Sequence, residues 1–316
     1  MKPVLSVIRC IGKSGEHYLA RTRPEYFQVF GAGGGAGVIT TTTVVCKFLI
    51  SVLSLPHFLE TVLFGLNYAG SFLLIQCLGY RLATKQPSLL AVTLFRRNPS
   101  AWCGELMAVT RSQVAATLGN FGFVVFSMLL FHSLYLILLG HSFISQQTAL
   151  HTFESLSPFR SGTLGYAAIT GVLLWMASLV SGWCSHKARK SFLSAYAGGF
   201  GFNLSLAFLL CSVPILGKVT GLPIDVRHFT LSSGALALSV CTLGFKAAWN
   251  AGLGQACLGI FLIAVLNFSV SFALSLIVTL IAYPLRRRKM KPLFRKAWKL
   301  FVLNPWAFLY PERSKL

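Results

Sequence analysis

Residues Gln255–Tyr283 read QACLGIFLIAVLNFSVSFALSLIVTLIAY, 29 positions without a single charge, and Pro284-Leu-Arg-Arg-Arg-Lys289 follows at once. A helix rises about 1.5 Å per residue, so about 20 apolar residues cross a hydrocarbon layer roughly 30 Å thick. The run is therefore a membrane span, stopped by a cationic cluster. Five further stretches have the same character: Gly31–Leu55, Leu59–Leu82, Ser112–Gly140, Thr163–Cys184 and Phe192–Leu216. A shorter apolar stretch lies at Thr230–Trp249. No two-residue alternation points to a barrel, and open sheet edges are not tolerated in lipid, so the fold class is an all-α polytopic transmembrane helix bundle.

Composition agrees. Of 316 residues, 55% are hydrophobic and 11% charged, which excludes an ordinary cytosolic enzyme, where roughly 25% would carry charge. The 28 Lys+Arg against 7 Asp+Glu give +21, and the basic clusters lie between the apolar runs. A basic soluble nucleic-acid binder would mix the two. This pattern instead fits cationic cytoplasmic loops.

Orientation follows from the same residues. Lys2, Arg9, Lys13, Arg21 and Arg23 precede the first span; Arg81, Lys85, Arg96, Arg97 and Arg111 fill the second loop; Lys187, Arg189 and Lys190 fill the fourth. The first loop (Pro56–Phe58) has no basic residue and the third (His141–Gly162) only Arg160. The tail after Pro284 is also strongly basic and belongs on the inner side, which an odd number of spans would forbid. Thr230–Trp249 is accordingly read as a re-entrant or half-membrane segment, leaving six spans with both termini cytoplasmic in a bacterial inner membrane. The chain divides into a basic interfacial segment (1–28), a transmembrane domain (29–284) and a basic amphipathic tail (285–316). The first apolar run, Pro3–Ile8, is too short for a signal-peptide core, so the first span is expected to direct insertion.

Both ends suit a membrane surface. Val4, Leu5, Ile8 and Ile11 share one helical face and Ser6, Arg9 and Lys13 another. In the tail, Phe294, Ala297, Trp298 and Phe301 form a stripe beside Arg295, Lys296 and Lys299. Together with Arg286, Arg287, Arg288, Lys289 and Lys291, those cations are candidate contacts for anionic lipid, each worth about 1 kcal/mol near such a surface. The expected partners are the bilayer, its anionic lipids and a protein; the pattern argues against specific nucleic acid.

Other motifs carry less chemistry. The eight cysteines form no C-x-x-C pair, the histidines match no zinc spacing, and no motif calls for a cofactor. The glycine run Gly31–Gly37 fails as G-x-G-x-x-G at Ala36, but Gly33 and Gly37 form the G-x-x-x-G of closely packed membrane helices. Gly12-Lys13-Ser14 lacks the upstream glycine of a phosphate loop.

Polar residues inside spans matter more, because they normally face a bundle interior. Glu60, Asn67, Gln76, Asn120, Asn203 and Asn267 are the candidates. Asn67, Asn203 and Asn267 each begin N-x-[AS]-x-[AS]-F, which suits either a repeated transport element or helix packing. Asp225, the only aspartate, stands with Arg227 and His228 before Ser232-Ser-Gly234. That grouping reads either as an anion site at a helix start or as a salt-bridged loop.

Several stretches resemble a known family. Leu66-Asn-Tyr-Ala-Gly-Ser-Phe-Leu-Leu-Ile-Gln-Cys-Leu-Gly79 with Leu82-Ala-Thr-Lys-Gln-Pro87, Arg111-Ser-Gln-Val-Ala-Ala-Thr-Leu-Gly-Asn120, Thr170-Gly-Val-Leu-Leu-Trp175 with Gly182-Trp183, Gly221-Leu-Pro-Ile-Asp-Val-Arg-His228 with Thr230-Leu-Ser-Ser-Gly234, and Leu266-Asn-Phe-Ser-Val-Ser-Phe-Ala-Leu274 are similar to bacterial membrane proteins called site-specific recombinases, of the Neisseria crossover-recombinase type. Members usually carry a soluble helical portion ahead of the membrane part, and this chain resembles the membrane part alone. A partner protein replacing that portion is therefore expected. The name implies DNA strand exchange, yet only His186-Lys-Ala-Arg189, an H-x-x-R in a short basic loop, offers recombinase-like residues. No catalytic residue is assigned. A membrane scaffold ranks first, a small-solute transporter or channel second and a DNA recombinase third.

Overall fold

A computed structural model describes residues 2–16, 18–94, 101–188, 194–283 and 290–311. Among them the chain is helical, with no strand. Six helices have the length and hydropathy to cross a membrane: α2 (Arg23–Val52), α3 (His57–Cys77), α5 (Trp102–Leu139), α7 (Thr163–Lys187), α8 (Ser194–Thr220) and α11 (Leu253–Ala282). Between and around them lie α1 (Lys2–Glu16), α4 (Gln86–Thr93), α6 (Gln146–Leu156), α9 (Phe229–Leu243), α10 (Phe245–Asn250), α12 (Met290–Leu303) and α13 (Trp306–Leu309). The protein is a multi-pass membrane protein.

Helix limits move where a cap outweighs hydropathy. α2 begins at Arg23, eight residues before the expected Gly31, because Thr22 and Glu25 form a reciprocal capping box with Pro24 in the first turn. α5 begins ten residues before Ser112 and ends where Gly140 adopts φ 74°, the usual left-handed stop. Its first turns project beyond the apolar belt and pack Trp102 against Phe294 of α12, with ring centroids 5.1 Å apart.

The bundle is apolar outside and small or polar inside, as lipid demands. Leu66, Phe126, Ile137, Phe208 and Phe261 point outward, whereas Ala115, Ala116, Ser112, Thr170 and Ser271 are buried. The G-x-x-x-G expectation holds: a Cβ on Gly33 or Gly37 would lie 2.8 Å from Ala116 O or 2.6 Å from Asn120 O, so both glycines let α2 touch the backbone of α5.

Two elements interrupt the spans. After α8 the chain turns at Gly221 and runs without regular structure to His228, back into the bundle. There Thr230 Oγ1 donates to Asn120 Oδ1 (3.4 Å), midway along α5. The 15-residue α9 then climbs, covering about 22 Å, until Ala237 and Leu238 join Ile144 beyond the end of α5. This is the half-length segment expected at Thr230–Trp249, except that Gly244 (φ 74°) breaks it and α10 forms separately.

The second interruption was not legible. Charge places the stretch after Leu82 in a basic loop, but Ala83 N donates to Asn120 Oδ1 (3.1 Å), and α4 lies buried among α1, α5 and α11. The apolar face of α1 is likewise covered by protein: Ile8 and Ile11 pack on Leu89, Val92, Leu179 and Val278. Ile8 and Ile11 are therefore covered by side chains of this chain; the side chains of Val4 and Leu5 lie outside the described residues. α1 and α13 sit at one end of the bundle, where Arg111 Nε donates to Ala307 O (2.6 Å) and Arg23 Nε to Pro311 O (3.1 Å).

Candidate functional site

The two interruptions meet in the interior. Thr84 Oγ1 and His228 Nε2 are 2.8 Å apart, both buried, and the imidazole lies 6.1 Å from the Phe72 ring. Around this junction Asn120 Nδ2 donates to Gly33 O (2.6 Å) and Arg81 O (3.0 Å), while Asn267 Nδ2 donates to Ala167 O (2.9 Å) and Arg227 O (3.1 Å). Asn267 Oδ1 accepts from Phe229 N (3.1 Å), satisfying one of the orphan amides at the start of α9. Each asparagine thus replaces helical hydrogen bonds that a broken segment cannot make for itself.

On the side away from the termini a recess of about 320 Å³ opens toward this junction. Lys47, His151, Asp225, Arg227, His228 and Ser232 line it, with Thr148 and Thr152 of α6. Arg227 pairs with Asp225, spreads over the Tyr166 ring (5.4 Å to its centroid) and is anchored by its own N–H to Thr170 Oγ1 (2.8 Å). Val226 N donates to Asp225 Oδ1 (2.8 Å). His228 Nδ1 has no hydrogen-bond partner among the described residues.

A second recess, about 310 Å³, opens at the end that holds the termini. Gln76, Arg81, Lys85, Asn203 and the rings of Tyr18, Tyr80 and Tyr196 line it. Phe72, Phe202 and Leu206 belong to one packed cluster, with the Phe72 ring beside His228 of the first recess and the Phe202 ring beside Lys85 of the second, and Thr84, next to Lys85 in sequence, bonds His228.

The nine sequence candidates do not form one site. Asp225, Arg227 and His228 line the first recess, Gln76 and Asn203 the second, and Asn120 and Asn267 brace the junction. Asn203 Nδ2 bonds Gln76 Oε1 (2.6 Å) and Phe72 O (3.0 Å). Asn67 only ties α3 to Thr43 O (2.9 Å). Glu60 sits apart, within 3.8 Å of His57 and 3.7 Å of Lys218. The three N-x-[AS]-x-[AS]-F motifs are therefore three separate helix fasteners, each Asn donating to the backbone of a neighbouring element.

Among the tail candidates, Arg295, Lys296 and Lys299 are exposed. Arg286, Arg287, Arg288, Lys289 and the Lys291 side chain lie outside the described residues, as does Arg189. His186 Nε2 is 3.4 Å from Ser6 Oγ, a fastener between α7 and α1. Sequence reasoning missed Lys47, Thr84, His151 and the placement of Arg81 and Lys85. Charge counting assigned those last two to a loop, and nothing local in Ala83-Thr-Lys-Gln86 marks a buried lysine.

Family comparison matches the site-specific recombinase family over residues 4–191 and 185–311. No curated protein and no solved structure gives a match. With nearly the whole chain covered, this protein belongs to the site-specific recombinase family.

Proposed function

We propose that this protein carries or conducts a small polar solute across a bacterial inner membrane, with the end bearing both termini in the cytoplasm. The observation supporting this reading is the pair of recesses at opposite ends of the bundle, linked by the Thr84–His228 bond: His228 lines one recess, and Lys85, next to Thr84, lines the other. Interrupted segments meeting inside a bundle are how transporters place polar groups at mid-depth without exposing backbone to lipid. The orientation rests on the excess of Lys and Arg at that end, Arg9, Arg21, Arg23, Arg81, Lys85, Arg111, Lys187, Arg295, Lys296 and Lys299, over Lys47, Arg160, Lys218, Arg227 and Lys246 toward the other.

The test is uptake into proteoliposomes screened with amino acids, carboxylates and inorganic phosphate. Asp225→Asn releases Arg227 from its pair and is expected to lower flux at least about tenfold, a barrier change of roughly 1.4 kcal/mol, with an unchanged gel-filtration profile. Flux no greater than in empty vesicles for every solute would sink the reading. The family description names a competing one. Sequence-selective duplex binding that persists near ~0.2 M salt, with strand cleavage lost in His186→Ala, would favour recombination.

A second reading, a surface for lipid or a partner, is favoured by α12. Trp298, Val302 and Leu303 are exposed there beside Arg295, Lys296 and Lys299. In nanodiscs, amide exchange over 290–303 should slow when phosphatidylglycerol replaces phosphatidylcholine, and Arg295→Gln/Lys296→Gln/Lys299→Gln should abolish the difference. Equal exchange in both lipids would remove this role.

A further inference from the structure

Lys85 is 8% exposed, and its ammonium has neither a hydrogen bond nor an ion pair among the described residues. The Lys85 ammonium lies over the Phe202 ring, 4.9 Å from its centroid. One turn earlier, the Arg81 guanidinium lies 5.0 Å from the Tyr18 ring centroid and also has no acceptor among the described residues. Burial lowers the Arg81 pKa from its ordinary value, with Tyr18 opposing. Both cations line the recess at the termini end, and no Asp or Glu does so among the described residues.

A ring face attracts a cation but supplies no hydrogen-bond acceptor and no counter-charge. The cavity that Arg81 and Lys85 line is also lined by Tyr18, Tyr80, Tyr196 and Ser181, residues that carry hydroxyl donors. An oxyanion entering there would meet hydrogen-bond donors and two cations that no carboxylate neutralises among the described residues. We propose that this recess is a binding site for a small oxyanion of the phosphate class, held between Arg81 and Lys85.

Backbone hydrogen bonds hold the segment that carries the two cations. Arg81 N donates to Ala32 O (3.0 Å), Arg81 O accepts from Asn120, and Ala83 N donates to Asn120 Oδ1. The segment carrying both cations is thereby bolted to α2 and α5 before any ligand arrives, which reduces the ordering cost of binding. Thr84, between the two cations in sequence, makes the bond to His228. A ligand on Arg81 and Lys85 is therefore held by the segment whose Thr84 bonds His228, a residue lining the other recess. This inference names the solute class for the passage proposed above. It rests on that proposal only for movement, since binding is measured apart from flux.

The experiment is calorimetric titration of the detergent-purified full chain with inorganic phosphate, against chloride at equal ionic strength. Saturable phosphate binding is expected, weakened at least about tenfold (roughly 1.4 kcal/mol) in Lys85→Met and in Arg81→Gln. Lys85→Arg and Lys47→Gln, the latter in the opposite recess, should retain it. If Lys85→Met does not fold, Arg81→Gln alone carries the reading. A parallel titration uses dihexanoyl phosphatidic acid. Dependence on Arg81 with the lipid but not with free phosphate would identify a headgroup as the source and support the site. No binding of either probe, or binding indifferent to both substitutions, overturns it. Phosphate binding without phosphate uptake leaves the site standing and removes the passage.

Discussion

Asn120→Leu is expected to be among the most destabilising near-isosteric substitutions in the chain. Asn120 is fully buried and bonds Gly33 O, Arg81 O, Ala83 N and Thr230 Oγ1, so its amide joins α2, α5, the segment before α4 and the start of α9. Leucine fills the same volume and leaves two carbonyls and one N–H without that partner. An orphaned buried group costs about 1–3 kcal/mol, which puts the loss at roughly 3 kcal/mol or more. Interhelical hydrogen bonds in membranes average only ~0.6 kcal/mol, a value suited to Asn67, with its single bond to Thr43 O and partial exposure. Thermal unfolding in detergent should therefore show a large drop for Asn120→Leu and a small one for Asn67→Ala. Equal midpoints for the two would show that Asn120 is not the junction's fastener.

Gly119→Ala should be nearly as severe, through contact and not polarity. A Cβ there would lie 2.2 Å from Phe30 O and 2.9 Å from Gly34 N, both backbone atoms that no rotamer change can withdraw. α2 and α5 must separate by about 1 Å to reach an ordinary contact distance, loosening Gly33 and Gly37 against the same helix. Overpacking typically costs about 1–3 kcal/mol, and a rigid backbone neighbour places this case at or above the upper end. Gly122, one turn further along α5, has nothing within 4 Å of its Cβ position. Gly122→Ala should be neutral or slightly stabilising, since alanine is favoured in a helix by about 1 kcal/mol. The pair isolates the contact: folded yield and unfolding midpoint should fall for Gly119→Ala alone. If both variants behave like wild type, the close approach of α2 and α5 is wrong.

These expectations bear on how much could be read in advance. The G-x-x-x-G at Gly33 and Gly37 was legible because small residues at i and i+4 share one face whatever the partner. Its partner, Gly119 with Ala115 and Ala116, was not, since pairing among six similar helices is a global outcome. The asparagine motif was visible as a repeat, but its chemistry was ambiguous. An asparagine facing a solute and one facing a neighbouring carbonyl have the same local sequence, and the bonds of Asn67, Asn203 and Asn267 decide for fastening. The even choice at Asp225 resolves partly: Asp225 does pair with Arg227, and the pair nonetheless lines an open recess.

The sequence by itself determined the six spans, the half-length segment at Thr230 and the placing of both termini at one end. Each of these follows from hydropathy, length and the position of Lys and Arg, quantities that lipid imposes on every segment independently. Tertiary structure alone decided that α4 is buried, that Lys85 lies inside the protein and that the segments carrying Thr84 and His228 meet. The reason is physical: a backbone that leaves its helix inside the bundle must find hydrogen bonds on other elements, and which elements supply them depends on the packing of the whole.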